Sequence, residues 1–222
     1  MQNLTKNFIQ KASLPQVISS DLRQQILINA LPGGTKLKQD ELAAKYDASV
    51  SAVREALKIL ESEKLVAFLP NRGAMVTELS ASDVQDIFQI RIFLECGALA
   101  LSLPHLTDTD LDQAELLLTE EAACTDPRLY NDINSQFHDI LYGAAGNPQL
   151  DALISVLHNN IGRYMVLYLN QLHYKEESEQ EHRELLAACR AKDSSKAKKI
   201  LTRHMQNACK QLRSYLADQA QL

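Results

Sequence analysis

Between Leu14 and Leu31 the apolar residues Val17, Ile18, Leu22, Ile26 and Leu27 recur with a 3.6-residue period, the spacing that lines one face of a helix. The Pro32, Gly33, Gly34 cluster ends that pattern, since such residues interrupt helices. A short helix over about Gln39 to Tyr46 follows, then a tight turn through Asp47 and Ala48, then a third helix from about Ser51 to Lys64. The strand-like runs Leu65 to Leu69 and Ala74 to Glu78 flank Pro70, Asn71, Arg72 and Gly73, whose turn chemistry predicts a hairpin. Leu79 to Ser82 reads as a linker, with Ser80 or Ser82 capping a long helix that starts at Asp83. Beyond it the periodicity predicts helices over about 83 to 102, 108 to 123, 127 to 145, 148 to 170, 174 to 191 and 194 to 219. Pro104, Pro127, Gly146 with Pro148, and Asp193 with Ser194 separate them.

The expected fold is therefore mainly α. An N-terminal winged helix-turn-helix over residues 1–78 and a linker at 79–82 precede an antiparallel bundle of six helices over 83–222. In LAAKYDASVSAVREALKIL, the residues Leu42, Ala43, Val53, Ala56 and Leu57 supply the small and aliphatic contacts that let two helices cross at a short turn. That turn asks for a left-handed backbone at Asp47, a conformation Asp tolerates better than most residues.

Charge divides the chain in the same place. The net charge is −5, but residues 1–77 carry 10 Lys and Arg against 7 Asp and Glu, and the remainder 13 against 21. Only the first part suits a polyanion. Cys96, Cys124, Cys189 and Cys209 are scattered without metal-ligand spacing, so they read as reduced thiols. The opening MQNLTKNFIQ lacks the form of a secretory signal, and no apolar run approaches the ~18 residues of a membrane span. A cytoplasmic protein without a membrane partner is expected.

PGGTKLKQDELAAKYDASVSAVREALKILESEKLV followed by NRGAMV resembles the loop, helix-turn-helix and wing of the GntR family. The resemblance implies that the third helix enters the major groove with Ser49, Val50, Ser51 and Arg54 at its leading end. Arg54 would bind guanine or anchor a phosphate, unless it pairs on the surface with Glu55 or Glu61. Many relatives carry Arg where this chain has Val50, so one contact is missing and operator sequence does not transfer. Arg72 and Gly73 sit where the family's wing reaches the minor groove, or they form an ordinary solvated hairpin tip.

DVQDIFQIRIFLECGALAL, NSQFHDILYGAAGNPQL and EHRELLAACRAKD resemble the helical effector domain of the FadR branch, called FCD, and six helices suggest its VanR-like subgroup. His138, His182 and His204 each lie near an apolar stripe. At the family's ligand positions they imply a shared divalent metal, zinc first because imidazole suits it, with nickel or manganese as alternatives. Asn134, one turn before His138, stands where many relatives have a ligating Asp. Arg91 would clamp the carboxylate of a small organic acid effector, or pair with Glu95 one turn later. Arg163, Tyr164 and Tyr168 are candidate lining residues.

The implied protein is a homodimeric, ligand-responsive regulator that binds an inverted-repeat duplex operator, repression relieved by ligand being the expected sign. Two rivals accompany it. In one the metal itself is the signal; in the other the site is that of a metalloenzyme. The absence of an HExxH, a nucleophile elbow or a phosphate-binding loop disfavours the enzyme.

Overall fold

The computed structural model describes residues 13–169 and 175–219, with the side chains of residues 127, 128, 163, 165–169 and 219 left aside. The chain separates into two compact units, Met1–Glu78 and Leu79–Leu222.

In the first unit the order is α1 (Leu14–Leu27), β1 (Lys36–Leu37), α2 (Gln39–Lys45), α3 (Val50–Ser62), β2 (Val66–Leu69) and β3 (Gly73–Val76). The strands form one antiparallel sheet in the order β1-β3-β2, with Val66 opposite Val76 and Leu69 opposite Gly73. Ile18, Leu22 and Ile26 of α1 meet Val53, Ala56, Leu57 and Leu60 of α3, and Val66, Ala74 and Val76 close the core from the sheet. Burying the eight Ile, Leu and Val side chains among these, at roughly 1.5–3 kcal/mol each, is what holds these short elements in place.

Two features differ from the sequence expectation. The first helix stops at Leu27 instead of Leu31, because Asn29 turns left-handed (φ 58°) and the Leu31 amide closes back on the Gln25 carbonyl. That amide-to-carbonyl closure satisfies an end carbonyl without another helical turn. The two-residue strand β1 is too short to leave a periodic signal. Asp47 does adopt the left-handed backbone the turn asks for, at φ 46°.

The second unit is an all-helical bundle: α4 (Ala81–Ser102), α5 (Asp108–Ala123), α6 (Pro127–Gly143), α7 (Pro148–Leu169), α8 (Lys175–Arg190) and α9 (Ser194–Gln219). The long helix begins at Ala81, two residues before the expected Asp83, because Ser80 is its cap: its Oγ accepts from the Asp83 amide at 3.1 Å, and Asp83 Oδ2 accepts from the Ser80 amide at 2.8 Å. Thr107 and Asp110 repeat the arrangement at the start of α5. Lys192 Nζ donates to the Leu103 and Leu106 carbonyls just beyond α4, placing a cation at the negative end of that helix.

Helix α4 packs against α6, α7 and α9, and α5 against α6 and α8. Phe88, Leu99, Leu111, Phe137, Leu141, Leu185, Leu201 and Leu212 form the core between them. All four cysteines are free thiols, three of them buried. Among the described residues no helix is long and apolar enough to cross a membrane.

Candidate functional site

In the first unit, α3 separates its residues cleanly. Val53, Ala56, Leu57 and Leu60 are buried, while Val50, Ser51 and Arg54 are exposed along its first turn. Ser49 is the N-cap, and its Oγ accepts from the Ala52 amide at 3.1 Å. The hydroxyl assigned to DNA therefore already orders the leading end of the helix. Among the described residues of this unit the ion pairs join Arg23 to Glu63 and Lys38 to Glu41, so the surface pairing of Arg54 with Glu55 or Glu61 does not form. At the β2–β3 turn the Arg72 amide donates to the Leu69 carbonyl, Asn71 and Gly73 have positive φ (60° and 77°), and Arg72 and Gly73 are exposed.

In the second unit three helices bring three imidazoles together. His138 of α6, His182 of α8 and His204 of α9 are buried, and each offers a ring nitrogen within 4.8 Å of the others. His182 Nε2 lies 3.3 Å from His204 Nε2. Two nitrogens bound at the usual zinc distance of about 2.0–2.1 Å in tetrahedral geometry stand about 3.3 Å apart, so this separation suits a shared ion. Asn134, one turn before His138, places Nδ2 3.3 Å from His182 Nε2, which puts its amide beside the triad.

The opposite nitrogen of each ring has its own partner. His182 Nδ1 meets Glu121 Oε2 at 3.0 Å, His204 Nδ1 meets Glu181 Oε2 at 3.0 Å, and His138 Nδ1 meets the Tyr142 hydroxyl at 3.1 Å. Such contacts fix ring orientation and leave the Nε2 lone pairs for a ligand. Burial lowers the pKa of His138 well below its ordinary value, and neighbouring His182 and His204 add to the effect. Burial and His182 also lower His204, against the pull of Glu181. Neutral imidazoles at neutral pH are the form a cation needs. These residues fit a divalent metal.

A second network adjoins the first. The Tyr142 hydroxyl donates to Glu95 Oε2 at 2.9 Å, and Glu95 Oε1 accepts from Arg91 Nε at 2.7 Å and lies 3.0 Å from His158 Nε2. Of the alternatives for Arg91, its pairing with Glu95 is thus formed, and its second terminal nitrogen is 2.9 Å from His158. Burial pushes the Glu95 carboxyl up, but Arg91 and His158 outweigh it and hold the group well below the usual carboxylate range. Tyr164 has a structural use as well: its hydroxyl accepts from the Leu79 amide at 2.9 Å. Arg163 and Tyr168 lie outside the residues whose side chains are described.

Glu121, Glu181, Tyr142 and His158 are the participants that sequence reasoning missed. Tyr142 had a signal, being four residues after His138 and so on the same helix face. Glu121 had none, since it meets His182 across 61 residues of chain.

A family model described as "Bacterial regulatory proteins, gntR family" matches residues 14–76, and one described as "FCD domain" matches residues 86–207. The chain is 28% identical to the HTH-type transcriptional regulator BphR of Paraburkholderia xenovorans, covering 91% of this chain and 86% of the relative. It is 30% identical to the HTH-type transcriptional regulator McbR of Escherichia coli, covering 87% and 90%. It also resembles the solved structure of E. coli McbR/YncC with a TM-score of 0.74, covering 92% of this chain and 99% of that one at 26% identity. The E. coli protein GlaR, named an HTH-type transcriptional repressor, is 26% identical over 83% of this chain and 89% of its own length.

Proposed function

Because the chain belongs to the GntR family and carries an FCD domain behind its helix-turn-helix, a family of transcriptional regulators and not of enzymes, we propose that it is a repressor released from its operator by a small carboxylate metabolite bound at a metal-containing pocket. In this reading residues 1–78 bind DNA, 79–82 link, and 83–222 sense the effector, in the manner of the VanR-like subgroup and in the cytoplasm. The observation that carries it is the convergence of His138, His182 and His204, whose separations suit one ion.

Zinc is the first choice for that ion because the donors are imidazoles, with nickel or manganese next. When bound, it would leave coordination positions open to a ligand oxygen. His138, His182 and His204 would hold it, with Asn134 beside them. Arg91 orients an effector carboxylate by sharing its guanidinium, now occupied by Glu95 and His158. An acid that binds there competes with Glu95 for the same donors, and Glu95 is tied through Tyr142 to His138. Effector and ion are therefore read by one connected set of side chains, which biases the protein between DNA-competent and DNA-incompetent arrangements.

On the DNA, Ser49, Val50, Ser51 and Arg54 face the major groove and Arg72 with Gly73 the minor groove, in two copies on an inverted repeat. A homodimer is supported by α4, which leaves Ile90, Phe93 and Leu101 exposed on one face around Gly97.

The test is operator binding by purified protein with zinc alone and with zinc plus a panel of small carboxylic acids. Release by an acid only is the expected result. Release or capture by zinc alone would make the ion the signal. In parallel His138→Ala is expected to lose bound metal, and a variant that keeps its full metal content sinks the ligand set.

A further inference from the structure

Three buried carboxylates surround the imidazole cluster, and two have compensating partners in the protein. Glu95 has Arg91. Glu181 has Arg203 at 3.2 Å and the Asn207 amide at 2.8 Å. Glu121 of α5 differs. It is fully buried, Oε2 meets His182 Nδ1, and Oε1 has no hydrogen-bond partner among the described residues. Among those residues no lysine or arginine pairs with it. Lys175, over the Tyr130 ring, spends its ammonium on the Ala122 and Cys124 carbonyls. Tyr130 beside it is held neutral by burial and by the Glu121 carboxylate, and brings no positive charge.

A buried carboxylate with no lysine or arginine paired to it is costly, and a fold keeps one where a charge elsewhere offsets it. The imidazole of His182 connects this carboxylate to the point where ring nitrogens of the three histidines converge. Asn134, the polar side chain beside that point, is neutral.

We infer that Glu121 is the positioning residue that sets the affinity of the His138, His182, His204 site for a divalent cation, supplying through His182 the negative charge that neutral Asn134 does not. It never touches the ion. It fixes His182 with Nδ1 as donor and Nε2 as ligand, and has its own burial offset by the cation. This rests on the proposed metal site, and it goes further in naming what tunes it.

The experiment uses the full chain and zinc as probe, with affinity read by competition against a chromophoric chelator and melting temperature read with and without zinc. Glu121→Gln, which keeps the shape and removes the charge, is expected to weaken zinc binding about 10- to 100-fold, the usual consequence of losing an outer partner of a ligating histidine. Without zinc it is expected to melt at or above the temperature of the unaltered chain, because an uncompensated charge is gone. Adding Asn134→Asp to Glu121→Gln is expected to restore most of the affinity. Zinc affinity of Glu121→Gln within about threefold of the unaltered chain, while His182→Ala loses the ion, overturns this inference alone. Should Glu121→Gln fail to fold, Glu121→Asp, which keeps charge but shortens reach, decides: undiminished zinc affinity there overturns the inference. No zinc binding by the unaltered chain overturns both this inference and the site it rests on.

Discussion

At the scale of single residues, chemistry in this chain is set by who faces a buried polar group. Glu95 illustrates it: Arg91, His158 and the Tyr142 hydroxyl converge on a fully buried carboxylate. Its pKa is depressed in the folded protein, so the stability it contributes is present above the ordinary carboxylate range and is lost as pH falls through that range toward the folded value. Glu95→Gln is therefore expected to be less stable than the unaltered chain in urea at pH 7, with the gap narrowing on acidification below about pH 4. A gap that widens on acidification contradicts the assignment. Glu95→Ala, leaving the largely enclosed Arg91 without its carboxylate, is expected to cost about 3 kcal/mol. Sequence reached these pairs unevenly. Arg91 with Glu95, and Asn134 with His138, share a helix face at one-turn spacing and could be read from it. His158 and Glu121 could not, because partners more than sixty residues away are assigned by packing and by nothing local.

At the scale of elements, local rules explain most boundaries. Ser80 and Thr107 cap helices with matching Asp residues three positions on, and Pro148 opens α7 just after the left-handed Gly146. Ser80→Ala removes one side of a capping box and is expected to lower stability in thermal or urea unfolding by about 0.5–2 kcal/mol. In α3 the fully buried Leu57 sits between α1 and the sheet. Leu57→Ala is expected to cost about 2–5 kcal/mol and to weaken operator binding in proportion to the fraction unfolded, with no change in the ratio between operator and random duplex. A changed ratio would mean Leu57 touches DNA. The mistaken end of α1 shows where local rules compete: the apolar period runs on to Leu31, but left-handed Asn29 ends the helix first.

At the scale of the whole molecule, α4 carries apolar residues on two sides. Phe88, Ala98 and Leu99 enter the bundle core, while Phe93 is 79% exposed, with Ile90 and Leu101 on the same side. A helix that is apolar all round is normally covered all round. If this face is the seam of the proposed homodimer, Phe93→Glu is expected to yield monomer in sedimentation or light scattering where the unaltered chain is dimeric, and to reduce operator affinity because two half-sites are then no longer held together. A variant that stays dimeric moves the interface off α4.

The helical periods, the hairpin, the left-handed turn at Asp47 and the split between a cationic head and an acidic bundle are legible along the chain, because each depends on near neighbours or on composition. Tertiary structure alone decided that His138, His182 and His204 meet, and that each is held from behind by Tyr142, Glu121 and Glu181 respectively. It also decided that Arg91 is already committed to Glu95 and His158. The physical reason is that a side chain's charge and donor capacity are written in its identity, whereas burial, and the partner that makes burial tolerable, exist only once distant helices have packed.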